Sequence, residues 1–209
     1  ETLVTTQPVA VTHCAGNTAT FTAAATGSGA ISYQWQKDGV DLPNGSRVSG
    51  ATSASLTITQ TVAGDSGNYR CIVRSQDCNS DAVATNAAAL TVQIAPSITT
   101  SPTSLTLCVN SVATFTVVVS GTAPLNYQWR KDLQAIPGAT TSSYTIAAVQ
   151  SGDNGTYDCV VTNMCGTATS AGAVLSTTTS GTLQSACYTT STSPVRSIAV
   201  DLEIGRAHV

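Results

Sequence analysis

A six-residue string occurs twice in this chain, as Tyr33-Gln34-Trp35-Gln36-Lys37-Asp38 and as Tyr127-Gln128-Trp129-Arg130-Lys131-Asp132. Tyr and Trp two positions apart point to one face of a strand, the glutamine between them points to the other, and Lys-Asp marks the strand leaving the core. The string therefore reads as the centre of a repeated unit with one buried face and one wet face. A second matching pair lies downstream, Asp65-Ser66-Gly67-Asn68-Tyr69-Arg70-Cys71 and Asp153-Asn154-Gly155-Thr156-Tyr157-Asp158-Cys159. The tryptophans are 94 residues apart (129 − 35) and the tyrosines 88 (157 − 69), so the first copy carries six extra residues. Aligning Gly50-Ala51-Thr52 with Gly138-Ala139-Thr140 puts the insertion at about residues 44–49, on a loop where added length costs little.

The repeat divides the chain into two domains, residues 1–94 and 95–178, followed by a tail at 179–209. Thr, Ser, Ala and Val dominate, there is one Met, and no run of strong helix formers is long enough for more than a turn, so the expectation is all-β. In chain order, strands are predicted at residues 9–14, 18–25, 33–37, 55–59, 68–74 and 88–92, with a loop over 38–50 and a corner at 63–65. The same order restarts at Pro96, after only Gln93-Ile94-Ala95. A net charge of −3 with scattered lysines and arginines leaves no basic stripe for phosphates, which argues against nucleic acid as a partner. No apolar run reaches membrane-spanning length, so no membrane insertion is expected in this segment. Without an initiating Met or a signal peptide, the chain reads as a piece of something longer. Its last six residues, 204–209, resemble a translated sequencing adapter and are read as an artefact.

A Trp on the third core strand followed by Asp-x-Gly-x-Tyr-x-Cys at the sixth resembles the immunoglobulin superfamily, most closely its intermediate-set domains. The resemblance covers roughly residues 2–176 and implies two tandem Greek-key β-sandwiches. Tyr-Gln-Trp-x-Lys-Asp and Ile136-Pro137-Gly138-Ala139-Thr140 are most similar to tandem domains of large bacterial secreted and surface proteins, with animal cell-surface receptors second. By that resemblance Trp35 and Trp129 sit at the middle of each sandwich. Tyr69 and Tyr157 become the corner tyrosines whose hydroxyls bond back to the chain. Asp65 pairs with Arg47, whereas the second copy has no such arginine for Asp153.

The cysteines depart from the family. Its second-strand cysteine falls on Ala23 and Val117, so Cys71 and Cys159 face the core without their usual partner and are expected as buried thiols. Cys14 and Cys108 lie before the second strand, Cys78 and Cys165 at the tip of the last hairpin, and Cys187 is left over. Within one domain the two ends are too far apart for a disulfide. Across a three-residue linker the lower end of one domain meets the upper end of the next, which makes a Cys14–Cys165 bridge possible. The alternative is that all remain free thiols.

Catalysis finds little support, because His13 is the one histidine outside the tail and a nucleophile system would rest on it alone. The cysteines lack zinc spacing, and Asp38-Gly39 and Asp153-Asn154-Gly155 read as turns rather than calcium loops. No catalytic, metal or cofactor site is expected. Asn44-Gly45-Ser46 and Asn154-Gly155-Thr156 match the glycosylation acceptor pattern. The expected function is a non-catalytic repeat of an extracellular or cell-surface adhesin-like protein, with neighbouring immunoglobulin-like domains in the same chain. It would bind a protein or glycan through loops or strand edges. The alternative is a rigid spacer that holds another domain away from a surface.

Overall fold

The computed structural model describes residues 2–76 and 82–178. The tail, Cys78 and Cys187 lie outside the described residues. The first unit contains β1 (Leu3–Thr6), β2 (Val11–Cys14), β3 (Ala19–Thr22), β4 (Ala24–Thr26), β5 (Ile31–Lys37) and β6 (Val40–Asp41). It continues with β7 (Val48–Ser49), β8 (Ser55–Ile58), β9 (Gly67–Ser75), β10 (Val83–Ala84) and β11 (Ala88–Gln93). The second unit contains β12 (Ser97–Thr100), β13 (Leu105–Cys108), β14 (Ala113–Thr116), β15 (Val118–Ser120) and β16 (Asn126–Lys131). Then come β17 (Gln134–Ala135), β18 (Ser143–Ile146), β19 (Gly155–Asn163), β20 (Gly166–Thr169) and β21 (Ala173–Thr178).

Each unit is a two-layered β-sandwich. The larger layers run β2-β11-β9-β5-β6, with β10 on β9, and β13-β21-β19-β16-β17, with β20 on β19. The facing layers are β1-β4 with β3-β8-β7 in the first sandwich and β12-β15 with β14-β18 in the second. Pairing is antiparallel except where β2 lies along β11 and β13 along β21. The opening strand of each domain is thus in two pieces, one in each layer. A buried proline, Pro8 or Pro102, separates them. Proline has no amide hydrogen for either ladder, so pairing stops there and the chain crosses over.

The predicted strand at 18–25 is likewise two strands, β3 and β4, broken at buried Ala23, whose amide donates to the Ala54 carbonyl at 2.9 Å. Val117 repeats the arrangement with Ser142 at 3.0 Å. The predicted loop at 38–50 contains β6 and β7. Here the insertion acquires a role, because β7 extends the β3-β8 ladder and has no counterpart beside β14-β18.

Alternation builds both cores. Tyr69, Cys71 and Val73 of β9 face inward, and Trp35 sits directly across the ladder from Cys71, as Trp129 does from Cys159. Both tryptophans are fully buried. Their indole N–H groups donate to the carbonyls of Ser53 (2.8 Å) and Thr141 (2.9 Å), so no donor is left dry. Phe21 stacks on Tyr69 with ring centroids 4.9 Å apart, and Phe115 on Tyr157 at 4.8 Å.

The wet face expected of the repeated string is more occupied than alternation implies. Gln34 is half-buried and donates to the carbonyls of Trp35 and Leu42, and Gln128 does the same to Trp129 and Ile136. Lys37 and Lys131 reach the carbonyls of Gly64 and Gly152. Asp38 accepts the Asn68 amide (2.9 Å) and Asp132 the Thr156 amide (2.8 Å). Lys-Asp therefore fastens the strand to the corner instead of merely ending it.

The turn after each string takes positive φ at both residues, Asp38-Gly39 (49° and 86°) and Asp132-Leu133 (49° and 69°). Left-handed backbone costs a branched residue about 1–2 kcal/mol, and glycine far less. Leu133 is 71% exposed and has little packing to lose. Leu133→Gly is expected to raise the second domain's stability by about 1 kcal/mol in urea unfolding. A destabilised variant would mean that the leucine side chain holds the turn.

Candidate functional site

No group of three or more His, Cys, Asp or Glu residues is placed to hold a metal among the described residues. His13 is half-buried in β2 and hydrogen-bonds through Nδ1 to the carbonyl of Cys14, at 3.1 Å. The distinctive chemistry of the molecule lies at the junction between the domains. There Cys14, at the end of β2, is joined to Cys165, in the turn between β19 and β20 (S–S 2.04 Å, Cα–Cα 5.5 Å). Cys108, which ends β13 as Cys14 ends β2, is also a disulfide cysteine.

The linker beside this bond is held by the second domain's polar groups. The Ile94 amide donates to Thr122 Oγ1 (2.8 Å), and the Thr122 amide donates back to the Ile94 carbonyl (3.0 Å). Asn163 Nδ2 donates to the carbonyls of Ile94 (2.7 Å) and Thr122 (2.9 Å), while its Oδ1 accepts the Cys165 amide (2.8 Å). From the first domain, the Ala15 amide caps the Gln93 carbonyl at 2.8 Å. Gly121 lies so close beneath the linker that a Cβ would come within 3.0 Å of Pro96 Cα, and its φ of 145° favours glycine as well. One asparagine thus fixes both the linker and the turn that carries the bridging cysteine.

The resemblance placed Arg47 beside Asp65, and in the structure the two form a bidentate pair at 2.7 and 3.3 Å. Arg47 comes from the insertion that builds β7. Burial pushes the Asp65 carboxyl up, but hydrogen bonds from Arg47 and the Val62 amide, with the charge of Arg47, bring it below the ordinary carboxylate range. A depressed carboxyl adds stability that is complete above its unfolded pKa, about 3.9, and is lost as pH falls through the folded value. Wild type is therefore expected to lose more first-domain stability than Asp65→Asn between about pH 5 and about pH 3, read from urea midpoints. Equal losses would show that the pair contributes nothing.

Asp153, without an arginine, accepts the Gln150 amide (2.7 Å), and its carbonyl takes the Tyr157 hydroxyl (2.7 Å), as Asp65 takes that of Tyr69 (2.6 Å). A second ion pair, Arg130 with Asp158 at 2.8 and 2.6 Å, was missed in the sequence. Its signal was available. With Trp129 opposite Cys159, the residue after the tryptophan must face the residue before the cysteine. In the first domain the same positions hold Gln36 and Arg70, joined by a hydrogen bond of 2.8 Å.

Cys71 and Cys159 are buried and free. Their amides are held by hydroxyls of Thr85 (2.9 Å) and Ser170 (3.0 Å), at the break between the two pieces of the last strand. Burial pushes both thiols up to about 11. Because the folded value is raised, their contribution is complete below the unfolded pKa of about 8.5 and is lost as pH rises toward 11. N-ethylmaleimide near neutral pH is expected to modify neither in the folded protein and both after unfolding, as counted by mass. Rapid native labelling would contradict the packing.

The model of the family described as "Immunoglobulin domain" matches residues 3–75 and again 95–163. The chain belongs to the immunoglobulin domain family. These immunoglobulin domains are 30% identical to human Hemicentin-1 over 149 residues, 68% of this chain but 3% of that protein. They are 30% identical to mouse Roundabout homolog 1 over 139 residues, 64% of this chain and 8% of the relative. The highly immunogenic outer capsid protein of Enterobacteria phage T4 is 31% identical over 122 residues, 54% of this chain and 30% of its own. The chain thus spans less than a tenth of the first two. In three dimensions it resembles the titin I-band fragment I67–I69, with a TM-score of 0.69 and 22% identity over 85% of this chain and 66% of that one. Sidekick-1 immunoglobulin domains 1–4 give 0.65 and 22%, over 85% and 48%. At such identities these structures show a shared fold and nothing further.

Proposed function

We propose that this chain is a non-catalytic immunoglobulin repeat of an extracellular or cell-surface, adhesion-type protein, in which neighbouring domains are braced covalently. The observation that carries the reading is the Cys14–Cys165 bond across the junction. Disulfides persist in oxidising compartments and are rare where glutathione keeps thiols reduced. Kinship with hemicentin and roundabout proteins, of which this chain spans a small part, supports a place in a long multidomain protein. The relatives named above are animal and phage proteins, and the reading holds for a bacterial or an animal host alike. A protein or glycan partner would meet loops or the outer face of the larger sheets. On that face, Gln34, Gln36, Asp41, Ile72 and Arg74 line an open depression suited to polar contacts.

A spacer role is the second reading. It is favoured by the loops at 121–124, 133–138 and 163–166, where only Leu133 and Met164 are exposed large apolar side chains.

The experiment is secretion of the chain through an oxidising compartment, unreduced peptide mapping, and capture on glycan arrays and cell surfaces. A Cys14–Cys165 cross-linked peptide with saturable capture supports adhesion. The same peptide without capture leaves the spacer. Free Cys14 and Cys165 thiols in the secreted protein overturn the extracellular reading.

A further inference from the structure

We propose a mechanical role for the linked pair: tension passes across it through the Cys14–Cys165 bond, so that the two sandwiches are bypassed and the segment behaves as an inextensible link. This goes beyond the adhesion reading and holds whether or not the domains bind a ligand.

Tension applied at two points of a cross-linked chain follows the shortest covalent path between them. Here the path runs from Thr2 along β1 and β2 to Cys14, crosses to Cys165, and continues along β20 and β21 to Thr178. The cysteines are 151 positions apart, so 150 residues (151 − 1) lie in a closed loop off the path. That loop holds Trp35, Tyr69, Trp129 and Tyr157, the centres of both cores. The load falls instead on thirteen residues, 2–14, and fourteen, 165–178.

Those two segments have little slack. Each is mostly strand already, and a strand rises about 3.3 Å per residue against a limit of about 3.6 Å for a fully extended chain. The opening segment is two strands joined at Pro8, and the closing one is two strands joined across 170–172. Both ends of the bond are also supported. Cys14 lies level with Gln93 in the parallel β2–β11 ladder, and Cys165 is anchored through its amide to Asn163. With this bond and the disulfide of Cys108 both cleaved, the 150 residues return to the path, and at about 3.3–3.6 Å each they add roughly 500–540 Å of extensible chain.

Single-molecule force spectroscopy tests this on the full chain, held by cysteine-free peptide tags at its two ends. The oxidised wild type is expected to show no release of domain size. Cys14→Ser/Cys108→Ser/Cys165→Ser, which also removes the disulfide of Cys108, is expected to gain roughly 500–540 Å of contour length, released in two steps if both domains are folded. Wild type with a reductant in the chamber gives the same comparison without relying on the variant to fold. Domain-sized releases from the oxidised protein overturn the proposal, as does a contour length that reduction leaves unchanged.

Discussion

Trp129→Ala is expected to destabilise the second domain by about 3–5 kcal/mol while the core of the first stays folded. Trp129 is fully buried, lies across the ladder from Cys159, and packs 6.2 Å from Phe115 and 6.3 Å from Tyr144, centroid to centroid. Truncation opens a cavity among these rings and leaves the Thr141 carbonyl without its indole donor. Losses of this kind cost about 3–5 kcal/mol, against a total of about 5–15 kcal/mol for a domain. Only two tryptophans are present, so the variant keeps Trp35 as a clean fluorescent reporter of the first domain. Hydrogen exchange of β19 and β21 reports the second, and their protection is expected to fall by a factor of about 100 or more. Protection within a few-fold of wild type would mean that Trp129 does not centre that core. Trp35→Ala should exchange the roles of the two domains.

The second large effect is expected from Cys14→Ser/Cys165→Ser. In the chain-entropy view, a bond closing a loop of this size restricts the denatured chain by about 5 kcal/mol when both domains are unfolded. Its removal also uncouples the domains, because one domain's unfolding no longer leaves its ends tied to the other. Calorimetry of the variant should show a lower total stability and two transitions that respond separately to Trp35→Ala and Trp129→Ala. A total change below about 1 kcal/mol would mean that strain or residual structure offsets the entropy.

Much of this architecture is legible because it depends on period and spacing. Tyr-Gln-Trp and Tyr-x-Cys each alternate about a strand, and their recurrence at 94 and 88 residues marks both the repeat and its insertion. The end-to-end position of Cys14 and Cys165 is legible for the same reason, since strand order assigns each cysteine to one end of its domain. What alternation conceals is the use of outward-facing polar groups. Gln34 and Gln128 appear solvated in one dimension, yet a neighbouring hairpin folds over them and offers carbonyls. Asn163 is ordinary in the sequence, because its partners Ile94 and Thr122 lie 69 and 41 positions away. Arg47 is the opposite case. Family resemblance identified its partner, but that its insertion would add the strand β7 was not evident from a six-residue length difference.

The junction also changes what counts as a complete part. Each sandwich has its own core, yet a cut at residues 94–95 places Cys14 on one fragment and Cys165 on the other. The folding unit and the covalent unit are therefore out of step by one domain boundary. A single domain cut free of its neighbour would carry an unpaired thiol at its end, open to mispairing with any other copy. In an array built on this plan, covalent continuity would belong to adjacent domains taken together and to no domain alone.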